Sequence, residues 1–267
     1  MAFKNISQMQ IIASSYAQIE KLRLAYLSGL TLFQELFLEI TIQNASYYLL
    51  KSDETNIAYA IVNDEHVLLE FHIKEEFKEK SQNYFELVLK ELNIKKIYCK
   101  SFDTDLLSMC ELKGLQASPL GLLFRDFKEK VLSIDAEINY RNASEVNIPL
   151  LMQQDESIKE LFETEEQLHQ FIQKEKVILF RKHNQLIGCG MIIKTHQDWN
   201  FCDLGVWVHP DYRKKGIGAQ IILHLKSLAE ANELIPSCGC AIDNIASQKT
   251  LERSGFISKH QMLSFTI

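Results

Sequence analysis

Apolar and polar residues alternate along the chain in two successive runs of similar order. Helical spacing fills roughly residues 7–42. Strand-like segments follow at Tyr47–Leu50, Ile57–Val62 and His66–Ile73, with turn residues at Asp53–Asn56 and Asn63–Glu65 between them. Strands this close together, joined by such turns, predict an antiparallel meander. A helix near 76–92, a strand at Lys96–Lys100, a helix near 103–113, the pair Gly114-Leu115 and a strand near 120–126 complete the first run.

The second run repeats that order. A helix near 155–174 precedes strands at Val177–Arg181, Leu186–Lys194 and Phe201–Val208. A helix near 216–232, a strand at Cys238–Ile242, a helix near 244–254, the pair Gly255-Phe256 and a strand at Met262–Thr266 follow. Such internal repetition predicts a duplicated α/β unit, with one domain over residues 1–130, a second over 138–267 and the boundary near 127–138.

Charge and composition narrow the function classes. The 267 residues carry 29 Lys and Arg against 35 Asp and Glu, a net charge of −6. The deficit is shared equally between the two runs, so neither is a basic nucleic-acid arm. No nucleic-acid partner is expected. No apolar stretch reaches the roughly 20 residues of a membrane helix, since Leu24–Ile42 is broken by Glu35 and Glu39. The first residues lack the pattern of a signal peptide, and a cytoplasmic protein without a membrane partner is expected. Cys99, Cys110, Cys189, Cys202, Cys238 and Cys240 show no C-x-x-C spacing and no histidine pair at zinc-ligand distance. They read as reduced core thiols, and no metal is expected.

Glycine separates the runs. Residues 1–130 hold Gly29, Gly114 and Gly121, whereas the remainder holds seven glycines. At the junction after the third strand the first run has Lys74-Glu75-Glu76-Phe77-Lys78-Glu79-Lys80. The second has His209-Pro210-Asp211-Tyr212-Arg213-Lys214-Lys215-Gly216-Ile217-Gly218 and is six residues longer overall. Pro210 ends the strand, and the glycine-bearing turn then opens a helix with Ile217, Ile221, Ile222, Leu225, Leu228 and Ala229 on one apolar face. A helix start of this kind offers free backbone N–H groups and partial positive charge, which suits a phosphate. Some 30 residues further on, Asn244, Ser247, Leu251, Gly255 and Phe256 mark a second helix, with Asn244 placed to cap it and Gly255 to stop it.

These two motifs, in this order and spacing, resemble the core of the GNAT superfamily of N-acetyltransferases. Arg213, Gly216 and Gly218 match that family's [Q/R]-x-x-G-x-[G/A] loop, and Asn244, Ser247, Gly255 and Phe256 match its later element. The resemblance implies an α/β fold of two tandem GNAT-like domains, each a mixed, mostly antiparallel twisted sheet flanked by helices. It implies acetyl-CoA as co-substrate, with its pyrophosphate at Arg213, Lys214, Lys215, Gly216, Ile217, Gly218 and Ala219. The pantetheine arm would follow the strand at Val206 and Val208, and Asn244 and Ser247 would complete the cofactor site. The reaction implied is acetyl transfer to an amine acceptor by direct attack in a ternary complex. In several branches a carboxylate five residues before the strand's terminal valine acts as base. Asp203 stands at that position.

Two departures qualify the resemblance. Leu251 occupies the position of the usual acid, a tyrosine. The first run lacks the loop: the offset that aligns Gly114 with Gly255 puts Asp103 at the place of Asn244 and Leu106 at that of Ser247. It reads as a degenerate acetyltransferase-like domain. A non-catalytic acetyl-CoA-binding module and a transferase using another acyl donor are the competing readings. The sequence names neither the acceptor nor the oligomeric state.

Overall fold

A computed structural model describes residues 9–30, 32, 35–130 and 135–267. The chain divides into two units, one of residues up to Leu122 together with His260–Ile267, the other Leu123–Lys259. The first unit begins with a strand, β1 (Met9–Ser14), where the spacing predicts a helix. Ser15 ends it, donating its backbone N–H to Gln18 Oε1 at 3.1 Å, a cap that starts α1 (Tyr16–Gly29). Glu35 caps α2 (Leu36–Gln43) by accepting from the Phe37 N–H. The expected meander follows as β2 (Ser46–Ser52), β3 (Thr55–Val62) and β4 (Val67–Ile73). Then come α3 (Ser81–Glu91), β5 (Lys96–Lys100), α4 (Thr104–Leu112) and β6 (Ala117–Phe127).

The second unit adds two elements where the sequence predicts none, β7 (Ile138–Asn142) and the short α5 (Ile148–Met152). The helix predicted over 155–174 is confined to α6 (Glu165–Gln173), because Thr164 Oγ1 accepts the Gln167 N–H at 3.1 Å and starts the helix there. β8 (Val177–Lys182), β9 (Gln185–Lys194), β10 (Phe201–Val208), α7 (Ile217–Ala231), β11 (Ile235–Ala241), α8 (Ile245–Ser254) and β12 (Phe256–Thr266) follow in the predicted order.

The sheet of the first unit runs β1-β2-β3-β4-β5-β12, and that of the second β7-β8-β9-β10-β11-β6. The closing strand is therefore exchanged relative to the sequence reading. Met262–Thr266 pair antiparallel with Lys96–Lys100 in the first unit, whereas the second unit takes the end of β6. In the first core, Leu50, Ile57, Phe71, Phe85, Val88 and Phe265 are buried together. In the second, Leu168, Ile172, Val177, Leu179, Cys189 and Trp207 pack beneath α6. Five of the six cysteines are buried, as expected of core thiols, and Cys240 is half-buried.

Among the described residues each unit shows a parallel pair, and each pair is short. β4 meets β5 only at Val67–Lys96 and Leu68–Ile97. β10 meets β11 at Phe201–Ile235, Cys202–Pro236 and Asp203–Ser237. The two units also share a cap. Asp103 (φ −84°, ψ 79°) and Asn244 (φ −80°, ψ 71°) adopt nearly the same backbone conformation, and each accepts the N–H three residues ahead, from Leu106 and Ser247. The equivalence read from the sequence holds atom for atom at this position.

Candidate active site

Beyond the last ladder pair, at Asp203, β10 is held on its other side by β9, from Cys202–Lys194 to Val208–Gly188. The Phe201 carbonyl and the His209 N–H both bond toward β9. The intervening residues alternate, so the backbone groups of Leu204, Val206 and Val208 face the diverging side. Ser237 Oγ reaches across the root of the divergence to the Cys202 carbonyl at 3.0 Å. Burial pushes the Cys202 thiol up to about 12 and the Cys238 thiol well above its ordinary value, so both stay protonated and unreactive. Asp203, at the apex, is buried among these groups.

The same strand runs into the glycine-bearing loop before α7. Lys214 (φ 60°) and Gly216 (φ 82°) both lie in the left-handed region, and together they turn the chain into α7. The first backbone donor of α7 with a helical acceptor is the Gln220 N–H, bonded to the Gly216 carbonyl. The N–H groups of Ile217, Gly218 and Ala219 have no such acceptor and point out of the helix start. A Cβ at Gly218 would stand 2.9 Å from Thr250 Cγ2 and 3.3 Å from Val208 Cγ2. That glycine is thus required for α8 and β10 to approach α7. A Cβ at Gly216 would lie 3.1 Å from the Arg253 guanidinium. Arg253, on the last turn of α8, therefore brings a further cation beside Lys214 and Lys215.

Arg213 has a different environment from the one its motif suggests. Its Nη2 donates to Asp155 Oδ2 at 2.5 Å and to Ser157 Oγ at 2.8 Å, and its Nε to the Val208 carbonyl at 3.0 Å. Trp207 Nε1 donates to the same Asp155 and Ser157, each at 3.0 Å. Burial opposes the charge on Asp155, but bonds from Ser157, Arg213 and Trp207 outweigh it and hold the carboxyl below its ordinary range. This network ties the 3₁₀ turn at Glu156–Glu160 to the loop. Leu161 lies directly on Gly205, where a Cβ would be 2.4 Å from Leu161 Cδ1.

On the far side of the divergence, Asn244 Oδ1 caps α8 and its Nδ2 donates to Glu160 Oε2 at 2.8 Å. Leu251 is buried, so it is a core residue of α8. Val206 and Val208 thus lie on β10, Arg213–Ala219 on the turn and first residues of α7, and Asn244 and Ser247 at the start of α8, with Gly218 approaching both Val208 and Thr250. Sequence reasoning missed Asp155, Ser157, Glu160 and Arg253. Each acts across at least 37 residues of chain, and no local motif marks it.

The equivalent position in the first unit is built otherwise. No residue from 74 to 81 has positive φ, and a 3₁₀ turn at Glu75–Lys80 passes straight into α3. The partners β4 and β5 are instead spanned by α1. Arg23 bonds Glu70 through Nε and Nη2, both at 3.0 Å, and Glu39 at 2.7 Å. Tyr59 donates to Glu70 at 3.0 Å. Lys100 Nζ donates to the Tyr26 hydroxyl at 2.6 Å, and that hydroxyl donates to Asp103. All of these side chains are buried.

Comparison with known proteins agrees with this geometry. Residues 15–127 match the acetyltransferase (GNAT) domain and residues 147–256 the acetyltransferase (GNAT) family. The chain belongs to the GNAT acetyltransferases and carries two such domains in tandem. Among solved structures, an acetyltransferase of the GNAT family from Colwellia psychrerythraea is 18% identical, with a TM-score of 0.84 over 97% of this chain and 99% of that one. A tandem GNAT protein from the clavulanic acid biosynthesis pathway is 11% identical, with a TM-score of 0.61 over 97% and 98%. At these identities the likeness is one of fold. No curated protein matches. Among the described residues, no helix is long and apolar enough to cross a membrane.

Proposed function

We propose that the second unit transfers an acetyl group from acetyl-CoA to an amine, in a ternary complex and by direct attack. The observation that carries this reading is the continuous path from the edge of β10 beyond its last ladder pair with β11 to the left-handed turn at Gly216. The Val206 and Val208 backbone suits a pantetheine arm lying as an added strand. The Ile217, Gly218 and Ala219 N–H groups suit a pyrophosphate, with Lys214, Lys215 and Arg253 supplying charge at the rim. Arg213 supports the loop through Asp155, and Asn244 and Ser247 close the opposite wall.

A neutral amine is the nucleophile, so an ammonium ion must lose a proton before attack. Asp203 is the residue we assign to that step, taking the proton directly or through water. A backbone N–H of β10 polarises the thioester carbonyl and holds the oxyanion as it forms. The thiolate that leaves has an ordinary thiol pKa near 8.5, so its departure does not require a strong acid. The buried Leu251 is consistent with that route.

Buried Leu251 also favours a second reading, a module that binds acetyl-CoA without turnover. Calorimetric titration with acetyl-CoA tests the site, and release of free thiol in the presence of an amine panel tests transfer. Binding without thiol release for any amine would select the second reading. Propionyl- and succinyl-CoA in the same assay test for another acyl donor.

A further inference from the structure

We propose that the outer edge of the second unit's sheet binds a small organic anion, whose carboxylate or phosphate oxygens are held by Arg141 and Arg181. The site is separate from the one assigned to acetyl transfer, because β9 stands between β8 and β10. A pocket of about 280 Å³ opens over β7 and β8, lined by Asn139, Tyr140, Arg141, Leu179, Arg181 and Asn184. That volume lies at the small end of ligand sites.

Strand register explains the clustering. β7 runs antiparallel to β8, with Asn139 opposite Arg181 and Arg141 opposite Leu179. Side chains alternate along each strand, so these four residues share one face. The two arginines are diagonal neighbours on it, with Cβ atoms about 7–8 Å apart. Tyr140 and Phe180 belong to the other face, where both rings meet His224 of α7. Two cations this close repel each other unless a negative charge joins them. No carboxylate lines the pocket. The nearby acids Asp135 and Glu137 are paired with Lys182 instead.

The Arg181 guanidinium is already oriented. Its Nη1 donates to the Asn184 carbonyl at 2.8 Å, and Asn184 is fixed in the left-handed turn that joins β8 to β9. This leaves the edge formed by Nε and Nη2, whose two N–H groups run parallel and match two oxygens of a carboxylate or phosphate. Nε is buried and has no hydrogen-bond partner. A buried donor left unmet is costly, and an oxyanion on this edge satisfies it. Arg141, exposed at the pocket's rim, supplies the second charge.

The test is calorimetric titration of succinate and of glycerol phosphate into the full-length protein, with and without saturating acetyl-CoA. The expected result is saturable binding of one anion per chain that persists in the presence of acetyl-CoA, with no binding of neutral succinamide. The tighter of the two anions identifies the ligand as a carboxylate or a phosphate ester. Arg181→Lys keeps the charge and loses the parallel pair of donors, and Arg141→Gln removes the exposed charge. Each should weaken binding about tenfold, the effect of a lost charged hydrogen bond. Arg141→Gln alters an exposed side chain and so remains informative if Arg181→Lys fails to fold. Absence of saturable binding by both anions, displacement of the anion by acetyl-CoA, or unchanged affinity in either folded variant overturns the proposal.

Discussion

Two acidic residues illustrate how position decides chemistry. Asp203 was legible as a candidate because it stands five residues before Val208, and the structure adds that the parallel ladder ends there. Asp203→Asn should lower turnover by about 10²–10⁴-fold with little change in acetyl-CoA affinity. A loss under about threefold in a steady-state assay would leave Asp203 a structural carboxylate. Glu70, in the first unit, carried no motif at all. Arg23→Met would leave Glu70 and Glu39 buried without their counter-charge and should cost about 3–5 kcal/mol, read as a lower midpoint in chemical denaturation. His72 faces the Tyr26 and Tyr59 rings, and burial lowers its pKa. Below its ordinary value near 6.5 the unfolded chain takes up a proton that the folded protein refuses, so stability falls as pH drops through that value toward the folded pKa. The slope is at most about 1.4 kcal/mol per pH unit for one group. His72→Gln should remove this component from denaturation midpoints measured between pH 7 and pH 5, and an unchanged profile would exclude it.

Element by element, the sheet strands were the most legible, since alternation and turn residues bracket them closely. Lys96–Lys100 and Phe201–Val208 coincide with β5 and β10. The helix starts were misplaced where hydrophobic spacing continues through a cap. Ser15 with Gln18, and Thr164 with Gln167, are the capping pairs that begin α1 and α6. Both stand in the sequence as S/T-x-x-Q, but the apolar rhythm on either side conceals them. The loop before α7 was legible in its residue types, though not in the work each does. Gly216 supplies the turn, Gly218 admits Thr250, and Arg213 serves as a brace. Gly218→Ala should destabilise α7 against α8 by about 1–3 kcal/mol. Thr250→Ser in the same chain, which deletes the clashing methyl, should recover part of that loss in thermal melts. Charge reversal at the exposed pair Lys214 and Arg253 to Glu should weaken acetyl-CoA binding at least tenfold in calorimetry. The effect should shrink at high salt, as for any exposed charges. Unaltered affinity would show that the rim does not meet the phosphates.

For the whole molecule, the duplication was legible from repeated order alone, and the shared cap at Asp103 and Asn244 is its clearest trace. The exchange of closing strands was not, because 120–126 and 262–266 read equally well as the end of either half. The contrast between the two parallel pairs predicts one acetyl-CoA per chain. The first unit has no residue of positive φ from 74 to 81, and α1 sets Arg23 on Glu70 of β4 and the Tyr26 hydroxyl on Lys100 of β5. A calorimetric stoichiometry near two would show that this unit also binds. A fragment of residues 1–130 is a poor reagent for that question, since it lacks the partner of β5.

That missing partner sets an order of events during synthesis. At about 5–20 residues per second, the ribosome needs many seconds to travel from Lys100 to Thr266. Throughout that interval β5 waits with an open edge, and the apolar residues that Phe265 will cover remain within reach of solvent and of other nascent chains. The N-terminal unit, although made first, is therefore the last to close.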